Sequence, residues 1–113
     1  MGPFEIRRQT VSELRKVILA MMSSEWDLTL EGRSEAEVVE AARSLLRAQR
    51  ARLRLGSAEL SEIRGELKAN EEALERGRVA LESALADLGA IRIVLDAVAG
   101  FLRIVGRVVP LPA

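Results

Sequence analysis

Two groups of carboxylates and one row of guanidinium groups are the residues of this chain best placed to do chemistry. Glu35, Glu37 and Glu40, and again Glu71, Glu72 and Glu75, lie close enough in sequence to suggest a divalent-cation site. Arg43, Arg47, Arg50 and Arg54 recur at helical spacing, so together they could track the phosphates of a nucleic acid or face another anionic partner. Each group also has a plainer reading. A di-iron helical bundle takes Glu-x-x-His pairs, and the chain has no histidine; the loop spacing of a calcium site is absent too. Glu35 and Glu37 follow Ser34 as acids follow a helix cap, where the helix dipole favours negative charge. The arginine row has no aromatic residue beside it for stacking on bases, and it can instead pair with the glutamates that follow it in sequence.

The remaining equipment is sparse. With no cysteine, histidine or tyrosine, the chain lacks disulfides, thiolates, imidazole bases, the usual zinc ligands and phenolic acids. Serine, lysine and carboxylates remain, and no Ser-Lys or paired-carboxylate spacing stands out from ordinary surface pattern. The sequence therefore predicts no enzyme, no catalytic residue, no metal ligand and no cofactor. Its formal net charge is zero, so no overall field draws it to nucleic acid or an anionic membrane. At 113 residues and 49% apolar content, a single domain is expected over residues 1–113. The apolar run 17–22 after Arg15 and Lys16 is too short for a signal peptide, and no stretch reads as a membrane span. A cytoplasmic location is the default expectation.

The elements that would position these groups are set out by a heptad row. Leu46, Leu53, Leu60, Leu67, Leu74, Leu81, Leu88, Leu95 and Leu102 stand seven residues apart, with Val39 and Val109 extending the row. An α-helix returns every seventh residue to nearly the same stripe, so a row of this length predicts an all-α protein of helices wound on helices. Residues 1–9 read as an arm. A short helix is expected over 10–24, with Thr10 as N-cap, Glu13 as its capping-box acid, and Val11, Leu14, Ile18 and Met21 on one face. Residues 25–33 read as an extended connector, with Trp26 as a plug at the end of the helical pack.

Two coiled-coil helices follow, over 34–55 and 58–109. Gly56-Ser57 is a stop signal inside an unbroken heptad count, so the pair forms either a hairpin turned at Gly56 or a swapped dimer of helices running through it. Charge favours antiparallel pairing: Arg54 would meet Glu59, Arg50 Glu62, Arg47 Glu66 and Arg43 Glu71. The hairpin seam would then be Leu46, Leu53, Leu60, Leu67 and Leu74, with Asn70 as a polar register position. The second helix would run about 78 Å before Pro110 and Pro112 stop it.

From Ala84 onward the apolar surface widens, leaving a narrow polar stripe in which Arg92 and Asp96 are spaced for an ion pair. The first helix of the hairpin is too short to cover this half. Leu81, Leu88, Ile91, Leu95, Val98, Phe101, Leu102, Val105 and Val109 are therefore expected to form a homo-oligomer interface. On that reading, Leu95→Arg with Leu102→Arg would dissociate the assembly and leave the hairpin helical. The function expected is that of a non-enzymatic structural, self-assembly or adaptor protein, with a protein partner at the C-terminal helix as a variant. One alternative is a peripheral membrane or hydrophobic-surface binder using amphipathic helix 85–109. A second is a nucleic-acid-binding accessory protein using Arg43 to Arg54.

Overall fold

The computed structural model of the chain describes residues 1–111; Pro112, an expected helix stop, and Ala113 lie outside the described residues. The fold is all-α, as the heptad row requires. Its helices are α1 (Pro3–Met21), α2 (Ser24–Leu30), α3 (Glu35–Ser57), α4 (Leu60–Ala69), α5 (Glu71–Leu85) and α6 (Ile91–Val108). The dimensions, 46 × 25 × 18 Å, are those of a short bundle and leave no room for a 78 Å rod.

The expected 58–109 helix is broken twice, and each break has a local cause. Asn70 ends α4 with backbone angles of φ −106° and ψ 11°, and its side-chain amide donates to the Glu66 carbonyl at 2.8 Å. That hydrogen bond competes with continuation of the helical ladder, so Asn70 makes a corner instead of setting a register. The second break spans residues 86–90. Asp87 Oδ1 accepts from the Gly89 N–H at 3.0 Å, and the Ala90 N–H returns to the Asp87 carbonyl at 3.2 Å. Such an Asx turn stops a helix regardless of heptad phase, and it folds α6 back on α5.

This turn, rather than Gly56, is the hinge of the dominant hairpin. Gly77 lets its two arms approach closely, since a Cβ there would stand 2.8 Å from Phe101 Cδ1 and 3.3 Å from Ile104 Cδ1. The leucine row survives as a core but is folded about Leu88: Leu67, Leu74, Leu81, Leu88, Leu95 and Leu102 are all buried.

Helix α3 does not pair with α4 as the expected seam required. It lies against α1 and α6. Its buried stripe is Ala41, Ser44, Ala48, Ala51 and Leu55, a heptad pattern of side chains that are small except for Leu55, two positions out of phase with the leucine row. Small residues at alternating three- and four-residue spacing let helices approach closely, and this geometry turns Leu46 and Leu53 outward.

The N-terminal arm is also helical. Pro3 occupies the first turn, where its missing N–H costs nothing, Glu5 follows as a first-turn acid, and Ile6 is buried. Thr10 is therefore not a cap: it sits inside α1 and donates its hydroxyl to the Ile6 carbonyl at 2.8 Å. The expected connector contains α2, capped by Ser23, whose hydroxyl accepts from the Trp26 N–H at 3.2 Å. Gly32, at φ +79°, makes the bend into α3, and Ser34 caps α3 by accepting from the Glu37 N–H at 3.2 Å. Trp26 is buried in the core.

Candidate interaction face and polar cleft

The structure separates the residues singled out by sequence into three environments. The nine expected at an oligomer interface, Leu81, Leu88, Ile91, Leu95, Val98, Phe101, Leu102, Val105 and Val109, are all 7% exposed or less and form the core of the chain itself. Their apolar excess is covered by α5, α3 and α4, because α6 sits in the middle of the bundle. Residues 85–109 are likewise not one free helix: 86–90 form a turn, and the apolar face of α6 is packed inside the bundle. No helix among the described residues is long and apolar enough to cross a membrane.

The expected hairpin seam divides. Leu67 and Leu74 are buried and Leu60 is half-buried, whereas Leu46 and Leu53 are 46% and 60% exposed. Val39, one heptad before Leu46, is 42% exposed, and Val38 beside it 40%. Residues 39, 46 and 53 thus form an apolar row about 200° around the helix from the alanine stripe, given about 100° per residue. Ala42, Gln49 and Gly56 lie beside the row at the complementary heptad positions. An α-helix apolar on two opposite faces expects cover on both.

Arg43, Arg47, Arg50 and Arg54 are all exposed along one flank of this row. The four expected partnerships with Glu59, Glu62, Glu66 and Glu71 do not form, since α3 and α4 do not lie side by side. Glu71 pairs with Lys68 at 3.0 Å, and Arg54 donates to the Pro110 carbonyl at 3.1 Å. The Arg92–Asp96 pair does form, at 3.0 Å, and Arg92 also reaches Glu40. The arginine side chain thereby ties α6 to α3. Charge along α3 is polarised: Glu35, Glu37 and Glu40 occupy its first turns, and all five arginines follow.

A second feature comes from residues that the sequence pattern assigned elsewhere. Between α1 and the α4–α5 corner lies a cleft of about 540 Å³, with Ile6, Leu74 and Phe101 among its apolar lining. Gln9, Thr10 and Glu13 project from α1, and Glu72, Glu75 and Arg78 from α5. Glu13 is 1% exposed, and its Oε1 has neither solvent nor a hydrogen-bond partner. Its other oxygen lies 3.6 Å from Lys16 Nζ, which also reaches Glu82 at 3.2 Å. Arg78 bridges Glu75 and Glu82, the latter at 3.0 Å. The capping box pointed elsewhere because it began the helix at Thr10; only a helix starting at Pro3 puts Glu13 on the same buried face as Ile6 and Thr10.

Burial is the largest influence on the Glu13 carboxyl and pushes its pKa above the ordinary value of 4.5, with Lys16 opposing, Glu82 adding and Arg78 opposing. The folded state consequently holds this proton more tightly than the unfolded chain. Stability from this group is fully present below pH 4.5 and falls as pH rises through the raised folded value. Glu13→Gln is expected to raise the melting temperature at neutral pH, with the gain shrinking in acid. Melting curves across the pH range check this, and a lower melting point for the variant at neutral pH would contradict it.

Comparison of the chain with known protein families, with characterised proteins and with solved structures finds no match, so the functional reading rests on these two features alone.

Proposed function

We propose that the chain is a non-enzymatic structural module that self-associates through the outer face of α3. The observation supporting this reading is the exposed heptad row Val39, Leu46 and Leu53 on a helix whose opposite face is already engaged. Isolated exposed leucines are ordinary, but a row at constant seven-residue spacing is the pattern of a helix seam awaiting another helix. A second copy of α3 supplies that helix by a two-fold operation, the commonest symmetry of soluble oligomers.

The polarised charge of α3 selects the antiparallel arrangement. Centred on Leu46, such a pair sets Val39 against Leu53 of the other copy and brings the acidic first turns alongside Arg52 and Arg54. A parallel pair would set five arginines against five. The absence of histidine, cysteine and tyrosine from the sequence supports a role in assembly over catalysis. The test is the absolute mass in solution by light scattering coupled to size exclusion, over a dilution series. A discrete dimer that dissociates on dilution is expected, and a monomer at every concentration would remove the proposal.

A further inference from the structure

The cleft between α1 and α5 has a chemistry that assembly through α3 does not use. Its volume, about 540 Å³, is within the range of small-molecule sites, and it combines apolar side chains with a few polar groups. The cations of its lining are already committed within the chain. Lys68 and the Met1 ammonium both pair with Glu71, and Arg78 is held by Glu75 and Glu82. The carboxylates are in excess. Glu72 forms no ion pair among the described residues, and the buried Oε1 of Glu13 has no partner. An anion entering here would meet the unpaired Glu72 and the unpartnered oxygen of Glu13; a cation would supply the hydrogen bond that this oxygen lacks.

We propose that this cleft binds a small organic cation, a primary ammonium or guanidinium on a short apolar stem, with Glu13 as the anchoring carboxylate. The stem packs on Ile6, Leu74 and Phe101, and the charged head is held by Glu13 with Glu72 at the rim. A buried carboxylate with one oxygen unpaired is costly, and glutamine would fill the same space without the charge. The cation also offsets the burial that raises the carboxyl, so binding releases a proton and strengthens as pH rises. Lys16, Arg78 and Glu82 are the charged groups around Glu13 that set where this occurs.

The test uses the full chain and four probes of matched stem: butylammonium, butylguanidinium, 1-butanol and butyrate, titrated into the millimolar range at neutral pH. Backbone amide NMR shifts of Gln9, Thr10, Glu13 and Phe101 are expected to saturate with the two cations and not with the alcohol or the acid. Glu13→Gln, which keeps shape and is expected to remain folded, should weaken cation binding by at least about tenfold, the loss of one charge-assisted hydrogen bond. The Glu13 side-chain carbonyl shift of the native chain, followed by pH titration, should move to lower pH with bound cation. Absence of saturation, equal response to the uncharged alcohol, or unchanged affinity in Glu13→Gln would each overturn the proposal. These readouts are independent of oligomeric state.

Discussion

Phe101→Ala is expected to destabilise the fold by about 3–5 kcal/mol, the range for deleting a buried aromatic ring from a packed core. The ring is 2% exposed and packs directly over Gly77 between α5 and α6. A cost of that size is a large part of the 5–15 kcal/mol typical of a domain. The neighbour gives the prediction its discriminating form. Gly77→Ala improves helix propensity by about 1 kcal/mol, yet its Cβ would stand 2.8 Å from the ring, and overpacking of this kind costs roughly 1–3 kcal/mol. In the native background the substitution should be destabilising. With alanine at 101 the obstruction is gone, and the same substitution should stabilise. Urea denaturation of the four chains of this cycle measures the coupling. Equal effects of Gly77→Ala in both backgrounds would mean that α5 and α6 do not approach as the Asx turn at 86–90 dictates.

Leu46→Arg with Leu53→Arg is the second substitution of large expected effect, and its effect is on association alone. Both side chains stand about half in solvent, so the separate chain should melt within about 1 kcal/mol of the native one, as surface substitutions do. In an antiparallel dimer the pair removes four half-exposed leucines from the interface. At 1.5–3 kcal/mol for full burial, that is a loss of roughly 3–6 kcal/mol, or a factor of about 10² to 10⁴ in dissociation constant. Light scattering should then report a monomer of native helicity. An unchanged mass would place any self-association elsewhere on the surface. Leu95→Arg with Leu102→Arg provides the contrast. Those leucines are 0% and 1% exposed, so two charges would enter the core, and the expected result is an unfolded chain in place of the dissociated but helical one that the seam reading implied.

The all-α class was legible in the sequence because a row of leucines seven residues apart fits no other secondary structure, and so was the cap at Ser34, which acts through a bond only three residues long; the same kind of cap at Ser23 was hidden by reading the first helix through it. The Arg92–Asp96 pair was legible for the same reason: one turn of helix fixes it. The connectivity of the core was not. A heptad row identifies one face only while its helix is continuous, and Asn70 and Asp87 interrupt it with side-chain hydrogen bonds that leave the leucine count intact. Spacing reads through such a break as though it were helix.

On α3 the sequence offered two heptad stripes of opposite character, the leucines and the alanines. Hydrophobicity pointed to the leucines. The tertiary structure chose the alanines, because α3 crosses both α1 and α6 and only small side chains admit two helices at close range. Glu13 follows the same division. Its charge and its place three residues after Thr10 were local facts and suggested a cap. Its burial depended on a helix beginning at Pro3 and on α5 returning across it, which are arrangements of distant segments. What the sequence by itself determined are the properties carried by bonds within one helical turn; which face meets which neighbour was decided only by packing, where volume and the reach of other helices outweigh the hydrophobicity of any single stripe.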